Sequence, residues 1–219
     1  MNCIDISEWN QEIDFNEVKN SGVDYVFIRA GFGSSGVDKY FHINMEGAIN
    51  AGLKIGIYYY SYATDWDSAV IEAQHCIELI EPYKDIISFP IFYDVEEPRN
   101  VSRIIDVCMA FINTLNYDGY NAGIYTMVSW YNAYFKDIST DYIWLAYIGE
   151  TKPEWCDIWQ FSHNSQVAGV RGKVDGDNLY NTDMRLLINN PEPQPEPGTD
   201  PHAIIDQIRS LLDELDELI

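Results

Sequence analysis

Lysine and arginine are scarce in this 219-residue chain: 13 of them stand against 35 aspartates and glutamates, a formal charge of -22. Phosphate backbones are held by clustered cations that displace counterions, so a chain this acidic is not expected to bind nucleic acid or an anionic membrane surface. Long apolar runs are missing as well. No segment reaches the ~18 uninterrupted apolar residues of a membrane span, and no basic-flanked apolar leader opens the chain, so neither membrane insertion nor Sec export is expected. The four cysteines, Cys3, Cys76, Cys108 and Cys156, form no Cys-x-x-Cys pair. That argues against a zinc ribbon or a disulfide framework, and for buried thiols made in a reducing cytoplasm. His42, His75, His163 and His202 share no ligand spacing, and there is no glycine-rich phosphate loop and no nucleophile elbow. Neither a metal nor a cofactor is expected.

What is present is material for a core. The chain is 47% hydrophobic and 14% aromatic, which disfavours disorder despite the charge. Its length admits one large domain and a short appendage. Short β-branched and aromatic runs recur at Cys3 to Ile6, Tyr25 to Arg29, Ile55 to Tyr60, Phe89 to Asp94 and Ala122 to Tyr125. Helix-like stretches lie between them: Phe15 to Ser21 closing on Gly22, Asn44 to Ala51 closing on Gly52, Ser68 to Leu79 before Pro82, and Val101 to Leu115 with Asn100 as its expected N-cap. A strand plus a returning helix every ~25 to 35 residues makes successive strands parallel, hence an α/β barrel. Beyond Tyr125 the runs Tyr142 to Tyr147, Asp157 to Phe161 and Val170 to Asp175 crowd too closely for crossover helices. A complete (β/α)₈ barrel takes ~250 residues, so an incomplete, flattened TIM-like barrel is expected over residues 1–189.

At Asn189 the composition breaks. Five of the nine prolines fall in residues 190–201, alternating with Glu192, Gln194 and Glu196, an extended spacer rather than a core element. In residues 202–219, Ile204, Ile208, Leu211, Leu215 and Leu218 recur at spacings of four and three, with Ile205, Leu212 and Ile219 widening the stripe. An amphipathic helix so short is unstable alone in water, so it either self-associates, the favoured reading, or folds back onto the barrel.

Chemistry concentrates where strands end. In Asp94-Val95-Glu96 the two acids are two apart on an extended chain, which points both carboxyls the same way. Asp5 at the end of the first run and Asp175 near the end of the last would converge on the same mouth. Four carboxyls in one cleft cannot all ionise without cost, so at least one should keep its proton to higher pH and act as a donor. Tyr60, Tyr125 and Trp159 at strand ends either fill core layers or offer aromatic faces to a ligand. Arg29, inside an apolar strand, needs a carboxylate partner, either Asp5 or a group on the substrate.

In order and spacing the chain resembles glycoside hydrolase family 25, the Chalaropsis-type lysozymes that include many phage endolysins. The resemblance runs from Cys3 to about Arg185. It rests on Ile4-Asp5-Ile6-Ser7 with Trp9, Phe27-Ile28-Arg29-Ala30-Gly31, Gly56-Ile57-Tyr58-Tyr59-Tyr60-Ser61-Tyr62-Ala63, Asp94-Val95-Glu96, Gly123-Ile124-Tyr125-Thr126, Trp144-Leu145-Ala146, Trp159-Gln160-Phe161-Ser162 and Gly172-Lys173-Val174-Asp175. It implies a (β/α)₅β₃ barrel that hydrolyses the β-1,4 bond between N-acetylmuramic acid and N-acetylglucosamine of bacterial peptidoglycan. By position it makes Glu96 the acid/base, Asp94 the stabiliser of developing positive charge, and Asp5 and Asp175 the supporting carboxylates. Arg29, Tyr60, Tyr125 and Trp159 become substrate-binding candidates. The i, i+2 pair fits participation by the substrate's acetamide, while a retaining or inverting outcome stays open. Tyr59 stands where many members carry His, and Gly176-Asp177-Asn178 loosens the last motif. The family's phage members imply an endolysin made in the bacterial cytoplasm and released to the wall by a holin. The alternative is a catalytically silent glycan-binding or structural wall protein on the same barrel.

Overall fold

The computed structural model describes residues 1–187, apart from Asp137 and Ser139. The chain divides into two units, Met1–Asn189 and Asn190–Ile219. The expected proline-rich spacer and amphipathic helix lie outside the described residues.

Nine strands form one sheet: β1 (Cys3–Ile6), β2 (Tyr25–Phe32), β3 (Gly36–Val37), β4 (Lys54–Tyr60), β5 (Ile87–Asp94), β6 (Ala122–Met127), β7 (Ile143–Ala146), β8 (Ile158–Ser165) and β9 (Val174–Leu179). Their order is β1-β9-β8-β7-β6-β5-β4-β2-β3, and a further β1–β2 pairing closes eight of them into a barrel, with β3 a short antiparallel flap on β2. From β1 through β8 the barrel strands are parallel. Helices α1 (Phe15–Asn20), α2 (Phe41–Asn50), α3 (Trp66–Ile80) and α4 (Ile104–Tyr117) return the chain, and a shorter helical turn, Val128–Trp130 running into a π-turn at Tyr131–Phe135, follows β6. No helix separates β7, β8 and β9, so the barrel is of the (β/α)₅β₃ type. Among the described residues no helix is long and apolar enough to cross a membrane.

Period-two alternation sorts the side chains. In β4, Ile55, Ile57 and Tyr59 face outward into the layer shared with the helices, while Tyr58 joins Phe27, Phe92, Tyr125 and Trp144 in the barrel interior. Trp144 is fully buried there, 5.0 Å from Phe27 and 4.8 Å from Tyr125 between ring centres. Phe27 fits because the facing residue is Gly56, where a Cβ would collide with its ring.

Local chemistry sets the helix ends. Asp14 accepts from the backbone of Asn16 and Glu17 to start α1, and Asp65 with Ser68 forms a capping box for α3. Gly22, Gly52 and Gly119 close helices at positive φ, as glycine permits. Two expectations are corrected. The fourth helix begins at Ile104, after a 3-10 stretch over Pro98–Arg103, so Asn100 does not cap it. The last strand spans Val174–Leu179 and runs antiparallel to both β8 and β1. Its reversed direction puts Asp175 at its beginning, and that beginning lies at the same barrel mouth as the ends of the parallel strands.

Candidate active site

Strand register assembles the carboxylates. Asp94, the last residue of β5, pairs across the sheet with Tyr60 of β4 and Tyr125 of β6, a row of three inward-facing residues at the mouth. Asp5 of β1 stands opposite Asp175 of β9. The Asp94 turn is held by its neighbours: Ser61 N donates to Asp94 O at 2.9 Å, Val95 N donates to Tyr125 O at 3.0 Å, and Thr126 Oγ1 donates to Val95 O at 2.9 Å. Together these residues line a cleft of ≈ 460 Å³ that contains Asp5, Asp94, Glu96, Asp175, Arg29, Tyr60 and Tyr125, with Trp9 on its rim and Tyr58 and Trp144 deeper. Trp9 is 79% exposed, an apolar face set beside acids, which is the pairing a sugar ring requires.

Asp5 and Asp94 are buried, and Glu96 and Asp175 half-buried. Burial raises all four carboxyls, and repulsion from neighbouring acids adds to it at Asp5, Asp94 and Glu96. Asp94 is raised well above the ordinary range by burial first, then by Glu96 and Asp5, with Arg29 opposing. Its Oδ1 is buried with no hydrogen-bond partner. Glu96 is raised by burial, against the Tyr60 hydroxyl that favours its ionised form. Asp5 is pushed up to about 7, by burial and then by Asp175. For Asp175 burial also leads, opposed by His163, whose Nδ1 lies 3.3 Å away. Among the described residues no cluster of three or more His, Cys, Asp or Glu side chains is arranged to hold a metal ion.

Arg29 does not pair with Asp5. Its Nε donates to Asp38 at 2.8 Å and its Nη2 to Glu8 at 2.8 Å, and Asp38 also accepts from Glu8 N at 2.9 Å. The guanidinium is thus fixed on the cleft wall by two carboxylates from the segments after β1 and β3. The Tyr60 hydroxyl donates to Glu97 at 3.0 Å, and the Tyr125 hydroxyl to Gln160 Oε1 at 2.9 Å.

The sequence pattern of glycosyl hydrolases family 25 matches residues 4–170. The chain belongs to this family. It is 32% identical over 184 residues to an autolytic lysozyme of Clostridium acetobutylicum, a match covering 81% of this chain and 55% of that protein. To lysozyme M1 of Streptomyces globisporus it is 25% identical over 205 residues, covering 84% and 69%. Among solved structures, the autolysin LytC of Streptococcus pneumoniae in complex with a synthetic peptidoglycan ligand superposes with a TM-score of 0.70 at 28% identity, over 79% of this chain and 45% of LytC. The catalytic domain of the endolysin ply40, from a bacteriophage of Listeria monocytogenes, shares the fold at TM-score 0.74 and 23% identity, over 81% and 91%. The chain therefore spans about half the length of the autolytic lysozyme and of LytC.

Of the eight site residues expected in this family 25 chain, the structure gathers seven in the cleft; Trp159 is the exception. Gln160 points inward, so its neighbour Trp159 on the same strand points outward, with Nε1 donating to Tyr147 O at 2.7 Å. It is absent from the cleft lining. Sequence reasoning missed Gln160 as a connector: its Nε2 donates to Asp5 Oδ2 at 2.8 Å while its Oε1 accepts from Tyr125. It missed Glu72 too, which accepts from the Tyr93 hydroxyl at 2.6 Å and from Tyr62 N at 2.9 Å. Glu72 thereby fixes the segment just after Tyr60. Its signal was available: among the helix positions Ala69, Glu72, Ala73, Cys76 and Ile80 that α3 buries, one is an acid.

Proposed function

We propose that this chain hydrolyses the glycan of bacterial peptidoglycan as an N-acetylmuramidase, at the β-1,4 bond from N-acetylmuramic acid to N-acetylglucosamine. One observation carries the reading: Asp94 and Glu96 sit together in a cleft that also holds Asp5 and Asp175 and is walled by aromatics. Glu96, half-buried and kept protonated to higher pH, is placed to donate to the leaving oxygen and then to take a proton from water. Asp94 is suited to orient the substrate's acetamide or to stabilise positive charge at the anomeric carbon. Arg29, Tyr60 and Tyr125 line the same cleft and suit hydroxyl and acetamide contacts. The lysozyme and autolysin relatives support the same substrate. A silent glycan-binding protein would have no need of this acid pair.

Purified peptidoglycan, digested and then reduced, decides the chemistry. New reducing ends on muramic acid are expected. New ends on glucosamine would make the chain a glucosaminidase, and binding without new ends would make it a glycan-binding protein.

Two finer readings accompany this one. As a phage or prophage endolysin made in the cytoplasm, the protein should lyse its host only when a holin is co-expressed, and lysis without one would exclude that route. For residues 202–219 we propose self-association through the stripe at Ile204, Ile208, Leu211, Leu215 and Leu218, which would give several catalytic heads avidity for a polymeric wall. Light scattering should find the full chain oligomeric and a chain ending at Asn189 monomeric. Two monomers at micromolar concentration would end this proposal.

A further inference from the structure

Beneath the cleft lies a carboxyl that the proposed reaction does not use. Asp177 follows Asp175 by two residues on β9, so it faces the same way one step deeper into the barrel, and its side chain is fully buried. Its Oδ1 accepts from Trp144 Nε1 at 3.0 Å. Its Oδ2 is buried and accepts from no donor. Asp177 stands opposite Cys3 on β1, one step below the Asp5–Asp175 pair, so its carboxyl and that of Asp5 face each other in the barrel. Two ionised carboxylates are acceptors only, so a hydrogen bond between them requires a proton on one of them.

Which one carries it follows from the surroundings. Asp5 lines the cleft and already accepts from Gln160 Nε2, a bond that favours its ionised form. Asp177 has only the indole of Trp144 in its favour. The other groups facing it are Asp5 and Cys3 from β1, Asp175 from its own strand and Tyr125 from β6, none of them a cation. An ion there would be buried among other acids. Neutral, its Oδ2 is the oxygen that bears the proton, which explains why no donor approaches it.

We infer that Asp177 is a positioning residue: a neutral acid that donates its proton as a hydrogen bond to Asp5 from below, while Gln160 donates from the side, so that Asp5 faces the cleft as an oriented carboxylate. This deepens, and rests on, the hydrolase reading. The chain Tyr125–Gln160–Asp5–Asp177–Trp144 then links β6, β8, β1, β9 and β7 across the barrel floor. Burial drives the Asp177 carboxyl well above the carboxylate range, in keeping with that role.

Two substitutions separate donor from bystander. Asp177→Asn keeps an acceptor for Trp144 and an N–H for Asp5 but carries no titratable proton. Asp177→Leu keeps the bulk and removes the donor. In wild type, Asp5 ionises with help from Asp177; without that help its ionised form is less favoured, so the acid limb of kcat/KM should move to higher pH. In the Leu variant that shift is expected together with a fall in kcat of about tenfold or more and little change in KM, whereas the Asn variant should keep the wild-type limb and remain within about threefold of its rate. Infrared difference spectra at neutral pH should show that one component of the protonated-carboxyl carbonyl absorption of wild type is lost in the Asn variant, while the components of the other protonated acids remain. A folded Leu variant with an unmoved acid limb, an Asn variant that shifts like Leu, or an infrared band indifferent to Asp177→Asn each overturns the proposal. If the Leu variant does not fold, the Asn and infrared arms still decide. If wild type releases no reducing ends from peptidoglycan, it is the hydrolase reading that fails, and the infrared arm still reports on the proton.

Discussion

Glu96→Gln is expected to leave the thermal unfolding curve in place and to lower release of reducing ends from peptidoglycan by about 100- to 10,000-fold. The amide keeps the shape of the side chain, but it can neither give nor take the proton that bond cleavage requires. The large effect follows from what the fold does to this carboxyl. Burial first, then repulsion from Glu97 and Asp175, raises it, with the Tyr60 hydroxyl and His163 opposing, so it holds a proton at a pH where an exposed glutamate would have lost it. No other group in the cleft combines partial exposure with that bias and a place beside Asp94. Activity above about a tenth of wild type, with unchanged unfolding, would move the acid/base role elsewhere. Glu97, bonded to the same tyrosine, would be the first to test.

Asp94→Asn should cost about 100-fold in the same assay, because an amide, unlike the carboxyl, cannot ionise to meet the positive charge that develops at the anomeric carbon. Its second effect has the opposite sign. In the unfolded chain this carboxyl releases its proton near pH ~4, whereas in the fold, buried and facing Glu96 and Asp5, it keeps it to much higher pH. Between those limits the native state binds more protons than the unfolded state, so this group's contribution to stability is full below pH ~4 and declines as pH rises. Asn has no proton to hold. The variant's melting temperature should therefore fall less steeply from acid to neutral pH than that of wild type, and at neutral pH it should be no lower. A variant that melts below wild type at neutral pH would mean that Asp94 is ionised and stabilised by Arg29. Loss of activity with retained or greater stability is what an acid buried for chemistry should show.

The strand ends were legible because the signals are local. Period-two alternation and a helix-length return read directly from the chain, and in a parallel barrel they send Asp5, Asp94 and Glu96 to one mouth. Asp175 was found at the right mouth for the wrong reason, since the direction of β9 depends on which strands it joins and not on its own residues. Arg29 in an apolar strand announced a buried partner, but its partners are 9 and 21 residues away on connecting segments, and no spacing rule selects Asp38 and Glu8 over Asp5. Trp159 was lost to phase: which of two adjacent residues faces inward is set by the register of β8 between β7 and β9.

By itself, then, the sequence determined an α/β barrel, its mouth and the acid pair, because each follows from residues near one another in the chain. Only the tertiary structure decided how those acids are held. Gln160 reaches Asp5 across 155 residues, and Asp177 meets Asp5 and Trp144 only because β9 turns back between β1 and β8. Hydrogen bonds of that reach come into being when the barrel closes, and the proton that a buried carboxyl keeps is a property of the closed barrel's interior rather than of any stretch of its sequence.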